Sequence, residues 1–242
     1  MQRRTVLFDF DGTLALGRGP LEAYAACLNE IVSEASGGEA GSELLAHCQD
    51  AITRFDAGET VFRDAYDAIR VTALSHGVTE AQLSAAYLRS RALLATEAAP
   101  IYGPEGLPEF LTDLAEHADC VLATNAPEIG VHRALDSLGI ADSISLVYCD
   151  VGKPAGLERI IPGLLAQGPT LSVGDIWIND LAPAERHGAD TALVGVGEPD
   201  GEPTYRGATL TDLYDDILRW ATAGAPSTPV PSGTGHDSER HD

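Results

Sequence analysis

Lysine is almost absent from this chain. Of its 15 basic residues 14 are arginine and one is Lys153, against 37 acidic residues and a formal net charge of −22. A polyanion would be repelled over most of such a surface, which argues against nucleic acid or an anionic membrane as partner. Cysteine is scarce and scattered: Cys27, Cys48, Cys120 and Cys149 form no CxxC pair and have no histidine at ligand spacing. A disulfide framework and a structural zinc site are therefore not expected, and small buried hydrophobes are. The seven histidines show no ligand spacing either. No apolar run approaches the ~20 residues of a membrane span. The basic start Met1-Gln-Arg-Arg leads only into Val6 to Phe8 before Asp9 interrupts, far short of an export segment, so a cytoplasmic location is expected. From Gly224 to Asp242 the chain is rich in Pro, Ser, Thr and Gly, and reads as a disordered tail.

What is present is an ordinary globular composition, 44% hydrophobic and 21% charged over 242 residues. At ~100–200 residues per domain, this suits one large domain or one domain with an inserted partner. Val6-Leu7-Phe8 has the form of a buried parallel strand. From Leu21 to about Glu97 the apolar period is helical, as in Leu21, Tyr24, Leu28, Ile31 and Val32. Thr79 and Gln82 have capping-box spacing. Breaker-rich segments at 17–20 and 99–104 bound this block, as two hinges would. Beyond Pro104, strand candidates at 120–124, 144–148, 171–173 and 191–196 alternate with helices at about 107–114, 128–138, 154–166 and 210–221. That alternation predicts an α/β fold, a Rossmann-like parallel sheet with helices on both faces. The expected division is 1–16 and 102–223 for this core, 17–101 for an inserted all-helical cap, and 224–242 for the tail.

Ligands of open α/β sheets bind beyond the carboxyl ends of the strands. Four strand candidates deliver polar groups there: Asp9-Phe10-Asp11-Gly12-Thr13, Thr124-Asn125, Lys153-Pro154, and Gly174-Asp175 with Asn179-Asp180. Asp9, Asp11, Asp175 and Asp180 at one edge would not all ionise unaided, so a compensating cation is required. Oxygen donors favour a hard ion, and Mg²⁺ leaves room for a substrate phosphate. Lys153 adds a compact positive charge where every other cation is a planar fork. Metal plus ammonium suits a dianionic group. Gly12 permits a tight turn with backbone N–H groups facing that anion. Each piece also has a plainer reading: Asp-x-Asp-Gly-Thr as a turn, and Thr124-Asn125-Ala126-Pro127 as an N-cap with proline in the first turn.

Taken together these residues resemble the haloacid dehalogenase-like (HAD) superfamily of aspartate-dependent phosphohydrolases. Its DxDGT motif is matched by Asp9 to Thr13, and its strand ending in Thr or Ser by Val121 to Thr124. The motif lysine is matched in Gly152-Lys153-Pro154, and GDxxxxD by Gly174-Asp175 through Asp180. The helical insertion resembles the C1 cap of that superfamily. The resemblance implies that Asp9 attacks phosphorus to form an aspartyl-phosphate, and that Asp11 protonates the leaving oxygen and then activates water. It further implies that Thr124 and Lys153 hold phosphoryl oxygens, with Gly12 and Thr13 as further phosphate contacts and Asn125 either contacting the phosphate or supporting the residues that do. Asp9, the Asp11 backbone carbonyl and Asp175 would hold Mg²⁺, with Asp180 anchoring that set or orienting Lys153. An acid at position 11 sets the chain apart from true dehalogenases, and Thr13 leans towards phosphatase.

Within the cap, Arg18, Arg54, Arg63, Arg89 and Arg91 are candidates to read a second anionic group, and Asp56, Glu59, Tyr66 and Tyr87 to read hydroxyls or bases. The bend Arg54 to Glu59 is the favoured specificity segment, with Arg54 as a substrate contact. The expected function is an Mg²⁺-dependent phosphatase acting on a small phosphorylated metabolite. The alternatives are a sugar-phosphate mutase or phosphotransferase of the same superfamily, and a non-catalytic binding module.

Overall fold

The computed structural model describes residues 2–36, 40–58, 62, 64–196 and 201–223. The tail from Gly224, together with Glu59 and Arg63, lies outside the described residues. Strand β1 (Arg4–Phe8) is followed by the helices α1 (Gly19–Ser36), α2 (Ala40–Asp56), α3 (Ala65–Ser75) and α4 (Glu80–Arg91). Then come α5 (Leu107–His117), β2 (Ala118–Ala123), α6 (Val131–Ser137), β3 (Ile144–Tyr148), α7 (Leu157–Leu165) and β4 (Thr170–Gly174). After a π-type turn at Trp177–Leu181 the chain continues through α8 (Ala182–Arg186), β5 (Asp190–Val194), β6 (Tyr205–Gly207) and α9 (Tyr214–Thr222).

All strand pairs are parallel, in the order β3-β2-β1-β4-β5-β6. Alternation along each strand feeds two apolar layers. Val6 and Phe8 pack with Leu107, Leu111, Leu135 and Trp220 beneath α5, α6 and α9, while Leu7 turns to Leu157, Ile161 and Ala184 beneath α7 and α8. Each buried side chain of this size stabilises the fold by about 1.5–3 kcal/mol. The chain builds outward from β1 to β3 on one side and from β4 to β6 on the other, so the order reverses beside β1. Such a reversal opens a crevice at the strand ends.

The insertion has an apolar core of its own, with Leu28, Ile52, Ile69, Leu83 and Ala86 fully buried between α1 and α4. The Thr79–Gln82 capping box forms as the spacing predicts. The two linkers run side by side, with paired hydrogen bonds between Leu16 and Tyr102 of 2.8 and 3.0 Å. Gly19 is required there, because a Cβ would stand 2.3 Å from the Pro100 carbonyl oxygen. No helix among the described residues is long and apolar enough to cross a membrane. The four cysteines are free thiols, three of them buried.

Several expectations are corrected. Thr124 does not cap a helix: α6 begins only at Val131 after Gly130, and the Thr124 hydroxyl accepts the Ala126 N–H at 3.0 Å. The closing helix starts at Tyr214, after a 3₁₀ turn at Thr211–Leu213. The edge strand β6 was not expected, since three residues with an arginine in the middle carry no apolar alternation.

Candidate active site

Three strand ends and one loop converge on a cavity of about 740 Å³ between the sheet edge and the insertion. At the end of β1, the Asp9 N–H donates to the Val173 carbonyl at 2.9 Å, which ties this residue to the end of β4. The turn that follows is closed on itself: the Gly12 N–H donates to Ala15 O, and the N–H groups of Thr13, Leu14 and Ala15 all reach Phe10 O. The Gly12 amide is therefore engaged within the turn rather than aimed at an anion. Glycine is needed for a different reason. At φ +93°, a Cβ on residue 12 would lie 2.5 Å from Asp175 Oδ2. Gly174 serves the same purpose for Asp180, whose Cβ would be 2.4 Å from an added methyl.

The loop after β3 is fastened to the end of β2. Thr124 N–H donates to Tyr148 O, Val151 N–H to Thr124 O and Asp150 N–H to Ala126 O, at 2.9–3.1 Å. Asn125 completes this seam, its Oδ1 accepting the Lys153 N–H at 2.7 Å. Its work is thus to place Lys153, although it also borders the cavity. Lys153, with a side chain only 2% exposed, sets Nζ 2.5 Å from Asp9 Oδ1 and 2.8 Å from Asp180 Oδ1. Burial opposes its charge, but the two carboxylates outweigh burial and its pKa is raised. Thr13 is fully buried, and its hydroxyl donates to Asp9 Oδ2 at 3.3 Å, so it steadies Asp9.

Asp9, Asp175 and Asp180 each offer one oxygen within 4.8 Å of the others. Three carboxylates beside one ammonium leave two negative charges uncompensated. Burial and the neighbouring Asp9 carboxylate push both Asp175 and Asp180 well above the usual carboxylate range. Asp180 spends Oδ1 on Lys153 and Oδ2 on the Ile176 N–H at 3.0 Å. By contrast, Asp175 Oδ1 is buried with no hydrogen-bond partner. An orphaned buried acceptor amid hard oxygen donors fits a divalent cation held by Asp9 and Asp175, with Asp180 behind them.

Asp11 faces the insertion. Its Oδ1 accepts from Arg91 Nη1 at 3.3 Å, and burial raises its pKa against the opposing pull of that guanidinium. On the far wall, Tyr24, Tyr66 and Tyr87 form a mutual cluster with ring centroids 5.7–5.9 Å apart. Burial lifts all three phenols, Tyr24 and Tyr87 to about 12, so each remains a donor. Among the other described cap cations, Arg18 faces Glu22 at 3.9 Å and Arg70 reaches Glu80 at 2.5 Å while both border the cavity, and Arg89 pairs with Glu30 and Glu34 on the surface. Arg54 is exposed on the last turn of α2 and does not border the cavity, whereas the adjacent Phe55 does. Asp56 closes α2. Of the arginines expected to read a second anion, Arg18 borders the cavity, as does Arg70, and they share that wall with the three tyrosines, Asp64 and Asp67.

The family model for haloacid dehalogenase-like hydrolases matches residues 3–188. No curated protein matches the sequence. Among solved structures, the HAD-hydrolase YfnB from Bacillus subtilis, bound to magnesium, is similar at 18% identity and TM-score 0.57, covering 90% of this chain and 99% of that one. An HAD phosphatase from Thermococcus onnurineus gives 18% and 0.58, covering 88% and 97%. The L-2-haloacid dehalogenase from Xanthobacter autotrophicus, with chloropropionic acid covalently bound, gives 15% and 0.55, covering 89% and 98%.

Proposed function

The chain belongs to the haloacid dehalogenase-like hydrolases, and on that footing we propose that it is an Mg²⁺-dependent phosphatase of a small phosphorylated metabolite. The observation that carries this reading is Asp11 beside Asp9 at the cavity wall. A departing halide needs no proton, whereas an alkoxide leaving phosphorus does, and in this reading Asp11 supplies it. In this reading Asp9 attacks phosphorus: an Asp9–phosphorus bond forms, the bond to the leaving oxygen breaks, and the Asp11 proton goes to that oxygen. Water then cleaves the aspartyl-phosphate, giving its proton to Asp11. Splitting one step into two lowers each barrier.

Lys153 orients the Asp9 carboxylate and neutralises phosphoryl charge, and Thr124, at the same strand-end edge, adds a hydroxyl to the cavity wall. A bound Mg²⁺ would supply Lewis-acid polarisation of the phosphoryl oxygens. The tyrosine wall suits a polar leaving group, whose hydroxyls the three phenols can meet as donors.

Purified protein should release inorganic phosphate from an aryl phosphate with Mg²⁺ and stop with EDTA. Asp9→Asn should remove turnover while leaving the fold intact. Metal-independent turnover, or a substantial residual rate in Asp9→Asn, would overturn the mechanism. Transfer of label to an isomeric sugar phosphate instead of to free phosphate would make the protein a mutase.

A further inference from the structure

We infer that Arg91, a residue of the inserted helices, is the positioning residue for Asp11 and steadies the carboxylate left when the proton departs. This rests on the phosphatase reading above. Arg91 is 1% exposed and stands among the largest fully buried side chains. Of its guanidinium nitrogens, Nη1 meets Asp11 Oδ1 at 3.3 Å, while Nε and Nη2 are buried without a partner. A guanidinium so enclosed is costly, and an apolar side chain of similar volume would fill the space more favourably. The fold holds it there all the same.

The anchorage is to the sheet domain, although Arg91 closes a helix of the insertion. Arg133 of α6 donates from Nε to the Leu94 carbonyl and from Nη2 to the Ala92 carbonyl, both at 2.7 Å. Gly130, at φ +79°, brings its backbone so near that a Cβ would lie 2.5 Å from the Arg91 carbonyl oxygen. The end of α4 is thereby fixed to the domain that carries Asp9 and Asp11. With Oδ1 taken by Arg91, Oδ2 is the oxygen left to carry a proton. When the Oδ2–H bond breaks and the proton passes to the leaving oxygen, the electron pair stays on Asp11. Arg91 then faces a carboxylate through a charge-assisted hydrogen bond, which is stronger than its bond to the neutral acid.

The effect must scale with how badly the leaving group needs a proton. Arg91→Met should lower kcat for an alkyl phosphomonoester on the order of 30-fold, but only about threefold for 4-nitrophenyl phosphate, whose phenolate leaves unaided. KM should change little, and Arg91→Lys should recover part of the alkyl rate. Equal losses on both substrates would mean a structural role only and overturn the inference. Melting temperatures of Asp11→Asn, Arg91→Met and the double variant give a readout without turnover. The double should fall no further than the larger single, and additive losses would overturn the pairing. Wild-type protein inactive on every phosphomonoester would sink the phosphatase reading, while the melting cycle would still decide the pairing.

Discussion

Gly12→Ala isolates the close approach on which the proposed metal site depends. The new methyl would stand 2.5 Å from Asp175 Oδ2, where ordinary contact begins at 3.4 Å, so the carboxylate must retreat by about 0.9 Å. Mg²⁺ holds its ligands near 2.0–2.1 Å and tolerates little distortion. A displacement of that size in a reacting array costs about 10²-fold in rate. The same substitution also forces alanine to φ +93°, an added penalty of roughly 1–2 kcal/mol in stability. Gly77→Ala separates the two effects, because Gly77 has φ +82° and nothing within 4 Å of its absent Cβ. Both variants should melt lower than wild type, but only Gly12→Ala should need more Mg²⁺, by tenfold or more on the scale just given. Phosphate release against Mg²⁺ concentration, paired with thermal shift, reads both quantities. Wild-type Mg²⁺ dependence in Gly12→Ala would refute Asp175 as a ligand.

Lys153→Arg should lose about 10²-fold or more in kcat, because a planar fork does not fit where a compact ammonium sits within 2.8 Å of two carboxylates. A near-wild-type rate in that variant would refute the role given to Lys153. For pH, the sign follows from Asp175, whose raised pKa means that the folded state keeps a proton the unfolded chain has released. Metal-free stability attributable to this residue should therefore fall as pH rises from the ordinary carboxylate range towards neutrality. Saturating Mg²⁺ should flatten the loss, and the difference in melting temperature between wild type and Asp175→Asn, followed against pH, measures it. A difference that grows in favour of wild type without metal would contradict the assignment. Thr79→Ala removes the side-chain half of the capping box on α4, leaving the backbone N–H of residue 79 to the Gln82 side chain, and should cost about 1 kcal/mol in denaturant unfolding. No loss there would mean that the cap forms independently of its N-terminal turn.

The sheet was legible because several of its strands hold short apolar runs that stop at a polar residue, as Val6-Leu7-Phe8 stops at Asp9 and Val121-Leu122-Ala123 at Thr124. Asp9, Thr124 and Asp175 were legible for the same reason, since each stands at such a stop. What was hidden is whatever depends on contact between distant segments. Nothing near Gly12 announces that Asp175 will occupy the space its side chain would fill, or that its amide will be turned inward. Asn125 was open between a phosphate contact and a supporting residue, and its partner is the backbone of Lys153, 28 residues away. Arg91 was one of five candidate arginines in the insertion, and the backbone around it is held by Gly130 and Arg133, which belong to another domain. The signal that could have raised it is its place in the last turn before the second linker, where side chains of the insertion turn towards the sheet edge.

The first motif divides its two acids between two different cations. Asp9 is held by Lys153 from the loop after β3, and Asp11 by Arg91 from the end of α4. The two cations meet opposite geometric demands. Lys153 must touch two carboxylates from one nitrogen, with no room for a second, whereas Arg91 reaches a single oxygen through one arm of its fork. Exchanging the cation type should therefore fail at Lys153 and be partly tolerated at Arg91. In a chain at −22, Lys153 and Arg91 are the two buried cations at the site among the described residues. Each stands against the acid whose charge changes during the reaction proposed: Asp9 as it bonds to phosphorus, Asp11 as it gives up its proton.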